Sequence, residues 1–181
     1  TLNGVELTGR AVNRTPVHVN AICGKSTLVG LKADRSVPEV LTSLISMSRS
    51  DHAISIVNHP NFGWAINNDD LLATDGFEML EIASGHPLVY DRGDQSHPSA
   101  EELWDSYLTN KHKVFGVAVD DAHDYYKFEE SERNPGRAWI QAWAAKLTPT
   151  AICNALRNGH FYSSRGTKIS ALVVTRRSLE L

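Results

Sequence analysis

Short β-branched runs alternate along this chain with segments of helical periodicity, and that alternation constrains the fold more than any other feature. It favours βα units around a parallel sheet over a helical bundle or a β-sandwich, because each strand then feeds a helix that covers the sheet. The runs predict strands over Leu2 to Thr8, Val17 to Cys23, Ala53 to Asn58, Met79 to Ala83 and Val114 to Val119. Helices with defined start signals lie between them. Ser36-Val37-Pro38-Glu39 is a capping box with Pro in the first turn, and it predicts a helix through Val40, Leu41, Leu44 and Ile45 to about Arg49. Ser99-Ala100-Glu101-Glu102 opens a second through Leu103, Trp104 and Leu108. A third starts at Thr148-Pro149, carries Ile152, Ala155 and Leu156 on one face, and stops at Asn158-Gly159. The segment from Asp124 to Arg137 has charge, Tyr, Asn, Pro and Gly without periodicity, and reads as a loop on the rim where βα folds build active sites.

A chain of 181 residues that is 41% hydrophobic can bury one sizeable core, so a single domain over residues 1–181 is expected. The formal net charge of -3 provides no basic field for a polyanionic backbone, which points away from nucleic acid as a partner and toward small molecules. No apolar stretch approaches the ~20 residues that cross a bilayer, and Thr1-Leu2-Asn3-Gly4-Val5-Glu6 lacks the form of a signal peptide. A soluble chain without a membrane partner is expected, with cytoplasmic and exported locations both open. Cys23 and Cys153 stand outside any Cys-x-x-Cys pair and read as reduced core thiols.

The informative residues stand where apolar runs end. Ile54-Ser55-Ile56-Val57 leads into Asn58-His59-Pro60-Asn61, and Val114 to Val119 leads into Asp120-Asp121-Ala122-His123. The first run carries Glu6, and the second carries His18 between Val17 and Val19. Carboxylates and imidazoles in this mixture suit zinc, manganese or iron, whereas calcium would demand more oxygens. Close divalent ions can share a bridging carboxylate and turn a shared water into hydroxide near neutral pH, which supplies a nucleophile for hydrolysis. Taken singly, His18 or His59 is more often a hydrogen-bonded edge residue, Glu6 can simply face solvent, and an Asp after a strand is often a turn former. The joint placement is what points to a metal cluster. Ser26 and Ser84 lack a Gly-x-Ser-x-Gly elbow, and Gly24-Lys25-Ser26 lacks the upstream glycine of a phosphate loop because Val19 stands there. Trp139, Trp143, Phe161 and Tyr162 suit either a ligand platform or core packing.

The same residues resemble motifs of the polymerase and histidinol phosphatase (PHP) superfamily, in particular its CehA/McbA-like metallohydrolases. The matching stretches are Gly4-Val5-Glu6, Val17-His18-Val19-Asn20-Ala21, Val57-Asn58-His59-Pro60-Asn61, Leu80-Glu81-Ile82 with Gly85-His86-Pro87, and Gly116 to His123. Asn134-Pro135-Gly136-Arg137 and Asn158-Gly159-His160-Phe161-Tyr162-Ser163-Ser164 complete the series in the family order. The resemblance implies an α/β fold, a distorted (β/α)7 TIM-like barrel whose mouth holds up to three divalent ions. On that pattern Glu6 would bridge two ions, His18 and His59 would complete the second site, Asp121 would join the first, and His123 would belong to the third. Asp121 and His123 would carry the catalytic role. The superfamily mostly hydrolyses phosphoesters with a metal-activated hydroxide, and this subgroup includes hydrolases of other esters.

The family barrel opens with a His-x-His strand that nothing before Glu6 supplies, so the expectation is an N-terminally incomplete barrel, through an upstream segment or through degeneration. For contact with a small anionic or ester substrate the candidates are His86, Asn61 and Arg137. Arg137 has the alternative of pairing with Glu129-Glu130-Ser131-Glu132, and Arg165 that of a solvated charge. The leading expectation is a metal-dependent phosphoesterase. Its alternatives are a catalytically silent barrel that binds a ligand or partner, a hydrolase of non-phosphate esters, and a deacetylase or amidohydrolase-like activity on a similar centre.

Overall fold

The structure is a computed structural model of the chain and describes residues 1–25, 31–32, 35–111, 113–175 and 178–180. Ser26, one of the discounted nucleophiles, lies outside them. The elements run β1 (Gly4–Arg10), β2 (Pro16–Ile22), β3 (Leu31–Lys32), α1 (Val37–Ser50), β4 (Ile54–Val57), α2 (Asn68–Leu72), β5 (Met79–Ser84), α3 (Ala100–Asn110) and β6 (Phe115–Val119). There follow β7 (Trp139–Ala142), α4 (Pro149–Arg157), β8 (Phe161–Ser164), β9 (Val173–Val174) and β10 (Leu179–Glu180).

The main sheet has six strands in the order β3-β1-β2-β4-β5-β6, and β7 pairs with β8 in a separate antiparallel ribbon. This overturns the expected (β/α)7 TIM-like barrel: among the described residues the sheet is open, ends on β3 and β6, and is mixed. The cause lies in the connection between β1 and β2. Residues 11–15 carry only a single 3-10 turn, whereas a parallel crossover needs about a dozen residues or more. The two strands therefore pair antiparallel, as do β2 and β4, and only β1–β3, β4–β5 and β5–β6 run parallel.

Alternation sorts the side chains onto two faces. Leu7, Val17, Val19, Val57 and Leu80 meet Val40, Leu41, Leu44 and Ile45 of α1 in one buried cluster that also takes in Leu103 and Tyr107 of α3. Ile54, Ile56, Met79 and Val117 point the other way and are covered by Leu156 of α4, with Phe115, Ile140, Ile152 and Phe161 around them. β4 is buried along its whole length, as a central strand covered on both faces must be.

The helix signals act as read. Ser36 and Glu39 form the capping box of α1, Ser99 and Glu102 that of α3, and the Thr148 hydroxyl accepts the Ala151 N–H at the start of α4. Gly159 ends α4 at φ +70°, and a Cβ there would lie 2.3 Å from the Phe115 ring, so both its backbone and its neighbour require glycine. Among the four aromatics left open, Phe161 packs edge-on to Phe115 while Trp143 is exposed.

Cys23 and Cys153 are not reduced thiols but form a disulfide, with Cα atoms 5.9 Å apart. A separation of 130 residues hid the pairing, because strand and helix positions so far apart give no local sign of proximity. The bridge ties the end of β2 to α4 and so holds the second-face helix against the sheet. Reducing it, or replacing both cysteines by serine, should lower unfolding free energy by about 3–5 kcal/mol, the range for closing so long a loop. Denaturant titration with and without reductant reads this, and equal midpoints would contradict it.

Candidate metal centre

Register assembles the first group of ligands. Thr8 pairs with His18 across β1 and β2, which places Glu6 on the diagonal from His18. Because Leu7, Val17 and Val19 face α1, Glu6 and His18 face the opposite side of the sheet. Val57 pairs with Val19 on β2, so the chain leaving β4 passes beside His18 and delivers His59 to it.

The three donor atoms converge. Glu6 Oε1 lies 3.1 Å from His18 Nδ1 and 3.7 Å from His59 Nε2, and the two nitrogens are 3.3 Å apart. Metal–ligand bonds of 2.0–2.1 Å in tetrahedral geometry place ligand atoms about 3.3 Å apart, which matches this triangle. Hydrogen bonds account for it less well. The nitrogen pair needs one unprotonated ring, and the 3.7 Å edge is too long for a hydrogen bond, whereas one central cation satisfies all three atoms.

Supporting residues fix these ligands. The Asn58 side chain donates to Glu6 Oε1 at 3.0 Å and accepts the Asn20 N–H at 3.3 Å, which sets its orientation. Glu81 Oε2 accepts the His59 N–H at 3.0 Å. His59 has φ 22° and Asp121 has φ 48°, both unusual for residues with a Cβ. Such conformations cost about 1–3 kcal/mol each and cluster at functional sites.

Glu81 is 1% exposed, and its Oε1 has no hydrogen-bond partner among the described residues. Burial pushes its carboxyl up to about 7, against the opposing pull of His59. Glu6 is held far below the usual carboxylate range first by its contact with His18 at 3.1 Å and then by the nearby His59 ring, which outweigh its partial burial. Burial works against charge on His59, but the nearby Glu6 carboxylate and the fields of Glu81 and Asp121 prevail and raise it. The group therefore attracts positive charge, and a proton on His59 competes with a metal ion for it.

His86, Asp121 and His123 form a second group with ligand-type atoms within 4.8 Å of one another. The His123 Nδ1–H donates to the Asp121 carbonyl at 2.7 Å, so in the neutral ring Nε2 is the nitrogen with the lone pair. His86 Nδ1 instead accepts the Leu88 N–H at 3.1 Å, so in the neutral ring the proton sits on Nε2. Burial holds His86 below the ordinary imidazole range despite the Asp121 carboxylate. It is therefore a neutral ring with one N–H to donate. Both groups line one cavity of about 160 Å³ together with Phe62 and Arg133.

The five expected ligands, Glu6, His18, His59, Asp121 and His123, are thus brought together, and His86 joins them. Asn61 and Arg137 do not line the cavity. Asn61 is buried and donates to the carbonyls of Tyr90 and Pro98. Arg137 donates to the carbonyls of Glu129 and Glu130 and to Asn134 Oδ1, so it pins the loop through backbone oxygens and not through the glutamate carboxylates. Arg165 is ion-paired with Asp91 at 3.1 Å. Residues not singled out in the sequence are Asn58, Glu81 and Arg133. Asn58 and Glu81 stand within the matching motif stretches without a role of their own, and Glu81 is the one charged residue of its strand.

No family model matches this chain, and no curated protein matches it.

Replacing Asn58 by alanine should weaken divalent-ion binding about ten- to hundredfold while the fold persists, as for other residues that orient ligands. Because the proton on His59 must leave when an ion enters, affinity should rise with pH through the raised His59 pKa, and binding should release protons. Calorimetry in buffers of different ionisation enthalpy measures both, and pH-independent binding without proton release would contradict the competition.

Proposed function

We propose that this protein is a metal-dependent hydrolase, most simply a phosphoesterase, with a divalent ion held by Glu6, His18 and His59. The observation that carries the reading is the triangle of their donor atoms, sized for ligands around one ion. Three protein ligands leave a coordination position open, the pattern of catalytic rather than structural zinc sites. The likeness to PHP metallohydrolases enters on motif order alone, set on an open mixed sheet.

When bound, such an ion acts as a Lewis acid and lowers the pKa of a coordinated water toward neutrality. The rest of the chemistry belongs to the chain. Asn58 keeps the Glu6 carboxylate turned toward the histidines. Asp121 and His123 stand across the cavity, with the His123 Nε2 lone pair free to take a proton or a second ion. His86 donates its Nε2–H to a substrate oxygen; being neutral, it has a hydrogen bond to offer and no surplus proton. Phe62 lies against His59 and His86, and limits water around them.

Among the described residues no helix is long and apolar enough to cross a membrane. The disulfide favours an oxidising compartment.

Purified protein should carry zinc, manganese or iron on elemental analysis and hydrolyse a generic phosphomonoester when that metal is added. His59→Ala should lose metal and activity to background while circular dichroism is unchanged. Undiminished metal in that variant would remove His59 from the centre. Metal without hydrolysis of any ester would leave a binding module.

A further inference from the structure

The cavity's electrostatics point to a residue with no role so far. Among the described residues, Glu6 and Asp121 supply its negative charge and Arg133 is the one arginine or lysine that lines it. Arg133 is placed beside the ligands by its own backbone, whose carbonyl accepts the N–H of His123 at 2.8 Å and of Asp124 at 3.0 Å. Its side chain is held on one edge, Nε to Asp124 Oδ2 at 2.7 Å and Nη2 to Asp124 Oδ1 at 3.1 Å. Nη1 has no hydrogen-bond partner among the described residues. A guanidinium fixed along one edge by a carboxylate keeps its other edge oriented for a second anion, without the rotamer entropy that a free side chain would lose. The other two arginines near these elements, Arg137 and Arg165, are engaged by carbonyls and by Asp91.

We propose that Arg133 is the anion-binding residue of this cavity, holding a non-bridging oxygen of a terminal phosphate through its Nη1 edge. The proposal rests on the metal-hydrolase reading and names its substrate class. A divalent ion at Glu6, His18 and His59 and the Arg133 guanidinium together balance Glu6, Asp121 and Asp124, so an anion is drawn by the two local positive groups, the ion's open position and the unshared guanidinium edge, and not by net charge. At about 160 Å³ the cavity is too small for a whole drug-sized ligand, for which ~300–1,000 Å³ is typical. It is sized for a reacting headgroup and not for the body of the molecule that carries it.

The test titrates inorganic phosphate into the wild-type protein, with and without added zinc or manganese, and into R133Q, R133K and D124N, with metal content measured for each. R133Q should bind phosphate about tenfold more weakly or worse, the worth of a charge-assisted hydrogen bond, at unchanged metal content. R133K should recover part of that loss, because charge returns without the fork. D124N frees the loop but keeps the guanidinium, and should lose less than R133Q. Equal phosphate affinity in R133Q and wild type, no phosphate binding by wild type, or a D124N loss as large as that of R133Q would each overturn the proposal. Arg133-dependent phosphate binding in a protein that takes up no metal would sustain it while removing the metal centre. Metal uptake with Arg133-independent phosphate binding would do the reverse.

Discussion

The pairing register of β1, β2 and β4 is the constraint on which the rest depends. Side chains alternate with a period of two, so a slip of one residue would turn Glu6 and His18 into the apolar layer and Leu7, Val17 and Val19 out of it. The burial of those three against α1 therefore specifies which face the ligands occupy. Each buried aliphatic side chain contributes about 1.5–3 kcal/mol, more than a wrong register could recover through polar contacts. The apolar layer holds the ligands in position from behind.

A second consequence is the load of buried polar groups at the strand ends. Asn58, His59, Glu81, Ser84 and His86 are all buried. Burying such groups is unfavourable unless they are paired, and Glu81 keeps one oxygen without a hydrogen-bond partner among the described residues. A protein selected only for stability would place apolar residues there. Strained backbone at His59 and Asp121 adds to the cost at the same edge. His59 and His86, buried, and His59 and Asp121, at positive φ, line the cavity itself, and an ion held there would offset part of their cost.

Much of this was legible in the sequence because the signals are local. Capping boxes at Ser36 and Ser99 place two helices within a residue or two, and β-branched runs place five strands nearly as well, β1 being shifted from residues 2–8 to 4–10. The residues of the two candidate groups could be picked out because each follows or interrupts an apolar run. What failed was non-local. Strand direction depends on the short β1–β2 link, and the alternation pattern alone concealed an antiparallel hairpin behind an expected barrel. The β7–β8 ribbon was hidden because Trp139–Ala142 and Phe161–Ser164 are short and flank a helix. Asn61 and Arg137 look like ligand-binding residues by type, yet their donors are used by carbonyls brought near only by folding. Arg133 sits in the same charged loop as Arg137, and only three-dimensional placement separates their roles.

The central claim is that Glu6, His18 and His59 surround one ion. Anomalous diffraction from crystals of the metal-loaded protein, recorded on both sides of the metal's absorption edge, tests it most directly. The account predicts a peak at about 2.0–2.2 Å from Glu6 Oε1, His18 Nδ1 and His59 Nε2. A peak elsewhere, or those three atoms joined only to one another in metal-soaked crystals, would contradict it.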